Sequence, residues 1–283
     1  MADVVSLAQP AAPPRLSRRH AAGTDTARGL LFTVLGEFVL PGGGTAWTSA
    51  VIDTFARLGV EEKATRQALL RTAEDGWLSA ERLGRRTRWR LTPAAERLLV
   101  EGTERIYGFR AVAPEWDGRW LVVLARAPES ERAARHLLRT RLTWAGLGSP
   151  APGVWISPHA ERLPEVAGVL DEAGLAGEAQ AFTGPHAGVG DVPAMVRAAW
   201  DLDELAGRYA QFRADFAGRR PDDALATVVE LVHAWRRFPW IDPVLPARLL
   251  PKGWPGRAAA ALFTRAHARW SAAARAEWQE LNS

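Results

Sequence analysis

The sequence contains no cysteine, only two methionines and two tyrosines, and no long apolar run. Without cysteine there are no disulfides, thiolate nucleophiles or cysteine-ligated zinc sites, so any metal ion would need histidine and carboxylate ligands. The six histidines are scattered and show no metal-binding spacing. No apolar stretch reaches the roughly 18 to 20 residues of a membrane span, and the N-terminus lacks the apolar core of a signal peptide. We therefore expect a cytoplasmic protein without cofactor, metal or membrane partner.

Excess positive charge is confined to the first part of the chain. Residues 1–110 carry 16 Lys and Arg against 12 Asp and Glu, whereas the remaining residues carry 20 against 20. A basic surface on one domain is typical of proteins that bind a polyanion. The N-terminal part is therefore the candidate for nucleic-acid binding.

The N-terminal part has the pattern of a helix-turn-helix. Apolar residues recur at helical spacing from Ala27 to Leu40, where Pro41 and three glycines end the helix. A second helix is expected from Thr48 or Thr45 to about Leu58, and Gly59 suits the left-handed residue after it. A third helix is expected at 61–75. Two short helices joined by a glycine turn predict that the third helix enters the DNA major groove.

The third helix divides into two faces by its periodicity. One face combines Thr65, Ala68, Leu69 and Thr72, and the opposite face combines Lys63, Arg66, Gln67, Leu70 and Arg71. Arginine pairs with guanine and glutamine with adenine, so Arg66 and Gln67 are predicted to read base edges, with Leu70 touching a thymine methyl. Lys63 and Arg71 are predicted to contact phosphates.

A basic hairpin follows the third helix. Residues 77–83 and 87–91 are extended runs that flank Gly84-Arg85-Arg86. Five arginines occur within nine residues without an acid: Arg82, Arg85, Arg86, Arg88 and Arg90. This density suits phosphate contacts or entry into a minor groove, which predicts a wing with Arg85, Arg86 and Arg88 on DNA. A further helix is expected from Pro93, capped by Thr92, to about Tyr107.

The rest of the chain predicts an α+β domain followed by helices. Strands are expected at 120–125, 153–157 and 179–183, with helices at 130–144 and 163–173, an order that suggests a ferredoxin-like domain whose fourth strand is not apparent. Helices are expected at 200–216, 224–238 and 255–281, with an extended strap at 239–246. The predicted domains are a disordered tail at 1–26, a winged helix-turn-helix at 27–112, a ferredoxin-like domain at 113–190 and a helical domain at 191–283.

Several motifs carry a specific resemblance. They are ARGLL (27–31), LGEF (35–38), LGV (58–60), TRQAL (65–69), DGWL (75–78), RLTP (90–93), WDGRW (116–120), APGVWISP (151–158), FPWIDP (238–243), LLP (249–251) and GWPG (253–256). With these motifs the chain resembles the PaaX family of repressors of phenylacetate catabolism over nearly all residues after 26. Leu70 and Thr72 depart from the expected pattern. A small polar residue is ordinary at the exposed position of Leu70, and an aliphatic residue is ordinary at the buried position of Thr72. The operator sequence is therefore expected to differ from the family's usual one.

The resemblance implies an α+β fold with an N-terminal winged helix-turn-helix, a Cas2-like ferredoxin domain and a C-terminal helical domain. It also implies a homodimer that represses an aromatic-acid catabolic operon and leaves double-stranded DNA when an aryl-coenzyme A thioester, typically phenylacetyl-CoA, binds. Two-fold symmetry predicts an inverted-repeat operator.

A thioester effector needs basic groups for its phosphates and an apolar cleft for its acyl group. The candidates combine basic and tryptophan side chains: Trp155, Arg197, Trp240, Arg248, Lys252, Trp254 and Arg257. Most of the thirteen tryptophans also suit a core or an interface, so each assignment has a structural alternative.

Two other functions have weaker support in the sequence. A metal-dependent nuclease would need a carboxylate near the end of the first ferredoxin strand, but residues 120–125 contain none, and Asp117 just before them can cap a turn instead. His159 lacks the motif of a hydrolase and is interpreted as a loop residue. Because these catalytic motifs are missing, we do not expect an enzyme. The other alternative is a scaffold or enzyme that keeps a wing-like domain but does not bind DNA.

Overall fold

A computed structural model describes residues 26–109, 115–127 and 131–283. The predicted disordered tail lies outside the described residues except for Thr26. The N-terminal elements are α1 (Ala27–Val34), a π-helical segment (Leu35–Val39), β1 (Thr45–Trp47), α2 (Thr48–Arg57), α3 (Glu62–Glu74), β2 (Leu78–Leu83), β3 (Arg86–Leu91) and α4 (Pro93–Gly108). The three predicted helices, the hairpin and the closing helix are confirmed. Strand β1 was not predicted.

The turns of the helix-turn-helix are set by two glycines in the left-handed region. After α2, Gly59 has a φ of 72°, and the N–H of Val60 donates to the carbonyl of Phe55 at 2.9 Å. After α3, Gly76 has a φ of 77°, and the N–H of Trp77 donates to the carbonyl of Thr72 at 3.0 Å. Both are Schellman caps, which satisfy carbonyls at the helix end and place an apolar residue just beyond it.

The middle elements form a ferredoxin-like arrangement. They are β4 (Arg119–Leu124), α5 (Arg132–Trp144), β5 (Gly148–Ala151), β6 (Val154–Ser157), α6 (Leu163–Glu172) and β7 (Gln180–Pro185). The strand order is β5-β6-β4-β7, and every neighbouring pair is antiparallel. The missing fourth strand is β5, an edge strand with an irregular register against β6. Pro150 is tolerated there because an edge strand has one side without ladder hydrogen bonds.

The C-terminal elements are α7 (Val192–Ala199), α8 (Leu202–Phe216), α9 (Ala224–Trp235), a short α10 (Phe238–Ile241) and α11 (Gly256–Leu281). The three long helices are confirmed. The predicted extended strap is wrong in its first part, because residues 239–241 continue a helical turn whose last bond joins the N–H of Asp242 to the carbonyl of Phe238 at 2.9 Å. No helix in the described part of the chain is long and apolar enough to cross a membrane.

The contacts divide the chain into two units that do not follow linear order. The first unit combines the described residues up to 109 with 218–237 and 263–283. The second combines the described residues within 110–217 with 238–262. The C-terminal residues therefore contribute to both units. Helix α9 belongs to the first unit because it packs on α1 and α2.

Each unit has its own core. In the first unit, the fully buried side chains of the helix-turn-helix include Leu31, Leu35, Phe38, Phe55 and Leu69. In the second unit, the sheet is covered on both faces. One face carries Leu121, Val123 and Trp155 with α5 and α6, and the other carries Trp120, Val122 and Ile156 with residues of α7 and α8. Alternation along the strands produces these two faces.

Candidate nucleic-acid interface

Helix α3 has the two faces that its sequence predicts. Thr65, Ala68, Leu69 and Thr72 are its buried residues. The hydroxyl of Thr72 donates to the carbonyl of Ala68 at 2.7 Å, and that of Thr65 donates to the carbonyl of Glu61 at 3.1 Å. These bonds to the preceding turn satisfy the buried hydroxyls, so threonine is accepted where an aliphatic residue is ordinary.

The opposite face of α3 is exposed over its whole length. It consists of Lys63, Arg66, Gln67, Leu70 and Arg71. Leu70 is 54% exposed, which is unusual for a leucine on a helix whose other face supplies the core. Arg66 forms an ion pair with Glu62 at 2.7 Å one turn earlier. Among the described residues, no carboxylate pairs with Lys63 or Arg71.

The wing is a two-stranded ribbon with a short basic tip. Strands β2 and β3 pair in an antiparallel register from Leu78 opposite Leu91 to Leu83 opposite Arg86. Gly84 and Arg85 make the turn, and Gly84 has a φ of 62°. A two-residue hairpin turn needs such a left-handed residue, which explains the glycine at this position. Arg85 is exposed at the tip.

An acidic residue modifies the arginine cluster of the wing. Glu81 precedes the acid-free run in sequence but faces Arg88 across the ribbon, and their side chains form an ion pair at 2.8 Å. Arg90 lies 3.8 Å from the same carboxylate. Arg82 and Arg85 are exposed, and within the described ranges neither has a carboxylate partner. Of the five wing arginines, Arg82 and Arg85 are therefore available, Arg88 and Arg90 are partly compensated by Glu81, and Arg86 contacts an aromatic ring.

Trp47 supports the base of the wing. The guanidinium of Arg86 lies 3.9 Å from the Trp47 ring centroid, and that of Arg88 lies 5.6 Å from it. Strand β1 places this ring beside β3 by pairing Trp47 with Arg88. The hydroxyl of Thr48 accepts from the indole N–H of Trp89 at 2.9 Å, which ties α2 to the ribbon. Arg86 and Arg88 are thus held by cation–π contacts and are pre-ordered for an anion.

Sequence reasoning missed Trp47 and its partner Asn282. The side chain of Asn282 bonds to the backbone of β1 from a position 235 residues along the chain. A three-residue strand gives no periodic signal, and a polar residue near a helix end is ordinary. No local pattern could have identified this pair.

A buried polar cluster lies behind the helix-turn-helix. Glu37, in the π-helical segment, accepts a hydrogen bond from the hydroxyl of Tyr107 and contacts Nε2 of His267 at 2.9 Å. Burial, and then the negative charge of Glu37, raises the pKa of Tyr107 far above its usual range. The hydroxyl therefore stays protonated and donates. Glu37 is buried within the π-helical segment, and π-helical turns occur often at functional sites.

Comparison with known proteins gives a consistent result. Family models match three consecutive stretches: "PaaX-like protein" at residues 26–95, "PaaX protein central Cas2-like domain" at 113–196 and "PaaX-like protein C-terminal domain" at 200–280. The chain is 31% identical over 272 residues to the transcriptional repressor PaaX of Escherichia coli (strain K12), covering 90% of this chain and 84% of that protein. This chain belongs to the PaaX family.

A solved structure extends the likeness of this PaaX-family chain to its fold. The uncharacterized protein Rv0674 from Mycobacterium tuberculosis superposes with a TM-score of 0.61 at 23% identity, covering 90% of this chain and 99% of that one. The predicted α+β fold with a Cas2-like central domain is confirmed.

The effector residues predicted for this PaaX-family protein are not all found in the cavity that Trp155 lines. A cavity of about 550 Å³ in the second unit is lined by Trp155 but by none of the other six candidates. Trp254 packs on the Tyr209 ring, Arg248 lies 4.0 Å from the Trp116 ring centroid, and Arg197 is 3.9 Å from Asp191. Trp240 is half-buried, whereas Lys252 and Arg257 are exposed. These residues were selected by side-chain type, and their role in effector binding stays a prediction.

Asp117 and His159 have structural roles in the second unit. The carboxylate of Asp117 accepts from the N–H of Arg119 at 2.8 Å, which is the turn cap that the sequence allows. His159 is buried, and its Nε2 lies 2.9 Å from the carbonyl of Val244. The described ranges contain no group of three histidine or carboxylate side chains that could hold a metal ion.

Proposed function

We propose that this PaaX-family chain is a DNA-binding transcriptional repressor of an aromatic-acid catabolic operon of the phenylacetate type. The observation that carries the proposal is the exposed face of α3. It combines side chains that are able to pair with base edges, Arg66 and Gln67, with two cations that have no carboxylate partner in the described ranges, and a basic wing follows it. The repressor name of the E. coli relative supports the same function. The predicted domain at 27–112 is the DNA-binding part in this proposal.

The residues of the interface take different roles. Arg66 and Gln67 read base edges in the major groove, and Leu70 contacts a thymine methyl. Lys63 and Arg71 contact phosphates on either side. Arg85 extends from the wing tip to the backbone or minor groove, while Arg86 and Arg88 add positive potential from positions fixed by Trp47. The Glu62 carboxylate competes with DNA for Arg66, so its ion pair opens on binding.

Release from DNA requires that binding at the effector site changes the affinity of the DNA-binding site. We propose a homodimer on an inverted-repeat operator, with the two α3 helices one helical turn of DNA or a multiple of it apart. An aryl-coenzyme A thioester such as phenylacetyl-CoA releases DNA only if it binds more tightly to a dimer whose helix spacing no longer fits the half-sites. An effector that binds free and DNA-bound protein equally would contradict this mechanism.

The test is a gel shift at several salt concentrations on the protein's own upstream region, with and without phenylacetyl-CoA. Wild-type protein should bind an inverted repeat, and phenylacetyl-CoA should release it. Arg66→Ala should lose about 1–3 kcal/mol of discrimination between the operator and a scrambled site. Arg85→Ala should weaken both sites and reduce the salt slope by about one.

The matched control is Arg213→Ala, which removes an exposed arginine from α8, outside the recognition helix and wing. It should leave operator affinity unchanged. Wild-type binding that shows no preference for any sequence and disappears at moderate salt would reject the repressor function while leaving the fold assignment unaffected.

A further inference from the structure

The cavity of about 550 Å³ in the second unit lies beside the edge strand of the ferredoxin-like sheet. Its wall combines Arg139 and Thr143 of α5, the hairpin of β5 and β6, and residues 199–208 at the junction of α7 and α8. The volume is within the range of small-molecule sites. Its lining joins tryptophan and aliphatic side chains with a few polar groups, which is the composition of such sites.

Two tryptophans of this wall have unsatisfied donors. Trp155 is 6% exposed, and its indole N–H is buried without an acceptor among the described residues. The same holds for the indole N–H of Trp200, which also lines the cavity. Buried donors are nearly always paired, because leaving one unpaired costs its full desolvation. Two of them in one cavity wall indicate that an acceptor comes from outside the chain.

Gly148 creates the space for one of these rings. A Cβ at this position would lie 2.5 Å from Cε2 of Trp200 and 2.7 Å from the carbonyl oxygen of Ala199. Any side chain at position 148 would therefore push Trp200 out of its place. The flat side of the strand and the ring together form a fixed apolar surface.

The wall contains two cations, Arg139 and Arg208, and two carboxylates, Asp201 and Glu204. Arg208 is paired with Glu204, and Asp201 accepts from the N–H of Glu204 at 2.9 Å as the cap of α8. Arg139 is exposed, and no carboxylate in the described ranges pairs with it. Within the described ranges, the Arg139 guanidinium thus has no carboxylate partner and the two indole N–H groups have no acceptor.

We propose that this cavity binds the aryl acyl group of a small carboxylic acid or its thioester. The ring packs between Trp155, Trp200 and neighbouring aliphatic side chains, and the carboxylate or thioester carbonyl supplies the acceptor that the wall lacks. Arg139 balances the negative charge. This assignment rests on the proposed function, because it locates the acyl end of the effector.

The experiment is calorimetric titration of the full-length protein, with tryptophan fluorescence as a second readout. The ligands are phenylacetate, phenylacetamide, phenylacetyl-CoA and coenzyme A alone. Phenylacetyl-CoA and at least one of the two small ligands should bind, and coenzyme A alone should bind far more weakly. Binding by the thioester without either small ligand, or equal binding by coenzyme A alone, would overturn the assignment of the acyl group to this cavity.

Two variants distinguish the contribution of an indole N–H donor to ligand binding from that of the Arg139 charge. Trp200→Phe keeps an aromatic ring but removes one donor, and it should weaken binding of the acyl ligands by about 5- to 30-fold. Arg139→Gln should weaken phenylacetate about tenfold and leave phenylacetamide unchanged. The matched control, Arg135→Gln, removes an exposed arginine of α5 that is not part of the wall, and it should bind like wild type.

Unchanged affinities in both cavity variants, or no binding by any acyl ligand, would overturn the proposal. If Trp200→Phe fails to fold, Arg139→Gln decides, because its side chain is exposed on a helix. A gel shift on the same preparations distinguishes failure of the cavity proposal from failure of the proposed repressor function. Operator binding with unchanged ligand affinities rejects the cavity alone, whereas a wild-type protein that binds no operator rejects the repressor function alone.

Discussion

The side chain of Asn282 bonds to the backbone of Trp47 in the way that a neighbouring β-strand would. Its Oδ1 accepts from the N–H of Trp47 at 2.8 Å, and its Nδ2 donates to the carbonyl of Thr45 at 3.1 Å. The adjacent Ser283 carbonyl accepts from the guanidinium of Arg86 at 3.1 Å. The end of α11 therefore completes the edge of the three-stranded sheet that carries the wing.

Replacing Asn282 by alanine should loosen the wing. The change removes two hydrogen bonds, each worth about 1 kcal/mol, and leaves the β1 edge to solvent. Urea unfolding should show a loss of about 1–2 kcal/mol. Operator affinity should fall as well, because Trp47 fixes Arg86 and Arg88. Gln279→Ala, on an exposed position of the same helix, is the control and should change neither quantity. Equal affinities for both variants would show that the contact has no influence on DNA binding.

Two adjacent leucines of α3 should separate stability from recognition. Leu69 is 1% exposed and Leu70 is 54% exposed. Leu69→Ala should cost about 2–5 kcal/mol in urea unfolding because it opens a cavity in the core. Leu70→Ala should change stability by less than about 0.5 kcal/mol and reduce discrimination at one base pair of the operator. A large stability loss in Leu70→Ala would contradict its placement on the recognition face.

The faces of α3 were predictable because a helix repeats every 3.6 residues, so Ala68 and Leu69 determine which other residues are buried. Even the polar Thr65 and Thr72 followed from this geometry. Edge strand β5 was not predictable in the same way. Gly148-Ser149-Pro150 has no strand propensity, and the segment is extended because the preceding turn and its partner β6 hold it there.

Contacts distant in sequence account for the remaining differences. Asn282 and Trp47, or Glu37 and His267, are separated by more than 200 residues and leave no periodic signal. The predicted effector residues were grouped by residue type, but tertiary packing put Trp155 on one face of the sheet and Trp254 with the cluster on the other. Residue type indicates which chemistry is available, whereas only the fold decides which side chains meet.

The two tyrosines should ionise only when the protein unfolds. Burial is the main cause that raises the pKa of Tyr107 and Tyr209 far above the ordinary value of 10.0, and the carboxylates of Glu37 and Asp242 add to it. Below pH 10 the phenols are protonated in both states. Above pH 10 only the unfolded chain loses these protons, so stability should fall as pH rises.

Ultraviolet absorbance of tyrosinate, followed during an alkaline titration, checks this expectation. The absorbance should rise in one cooperative step that coincides with loss of helical circular dichroism. Tyr107→Phe should halve the amplitude. A gradual rise near pH 10 with intact helices would contradict the burial of these hydroxyls.

We expect Asp242 to stabilise the fold mainly as a hydrogen-bond acceptor, with a smaller contribution from its negative charge. Its Oδ2 accepts from the hydroxyl of Tyr209 at 2.5 Å, and its Oδ1 accepts from the N–H of Val244 at 2.6 Å. The second bond supports Val244 at a φ of 58°, a left-handed conformation that is strained for a β-branched residue. Asp242→Ala should cost about 1–3 kcal/mol for each buried group left unpaired.

Asp242→Asn should cost less than Asp242→Ala, because the amide oxygen still accepts from the N–H of Val244. Burial raises the pKa of Asp242, and the hydrogen bonds from Tyr209 and Val244 oppose this only in part. The native state therefore keeps a proton that the unfolded chain loses above the ordinary value of 3.8. Stability of the wild type relative to Asp242→Asn should fall as pH rises from that value toward the folded-state pKa. Urea unfolding of both proteins at several pH values measures this difference, and a relative stability that rises with pH would show that the hydrogen bonds outweigh burial.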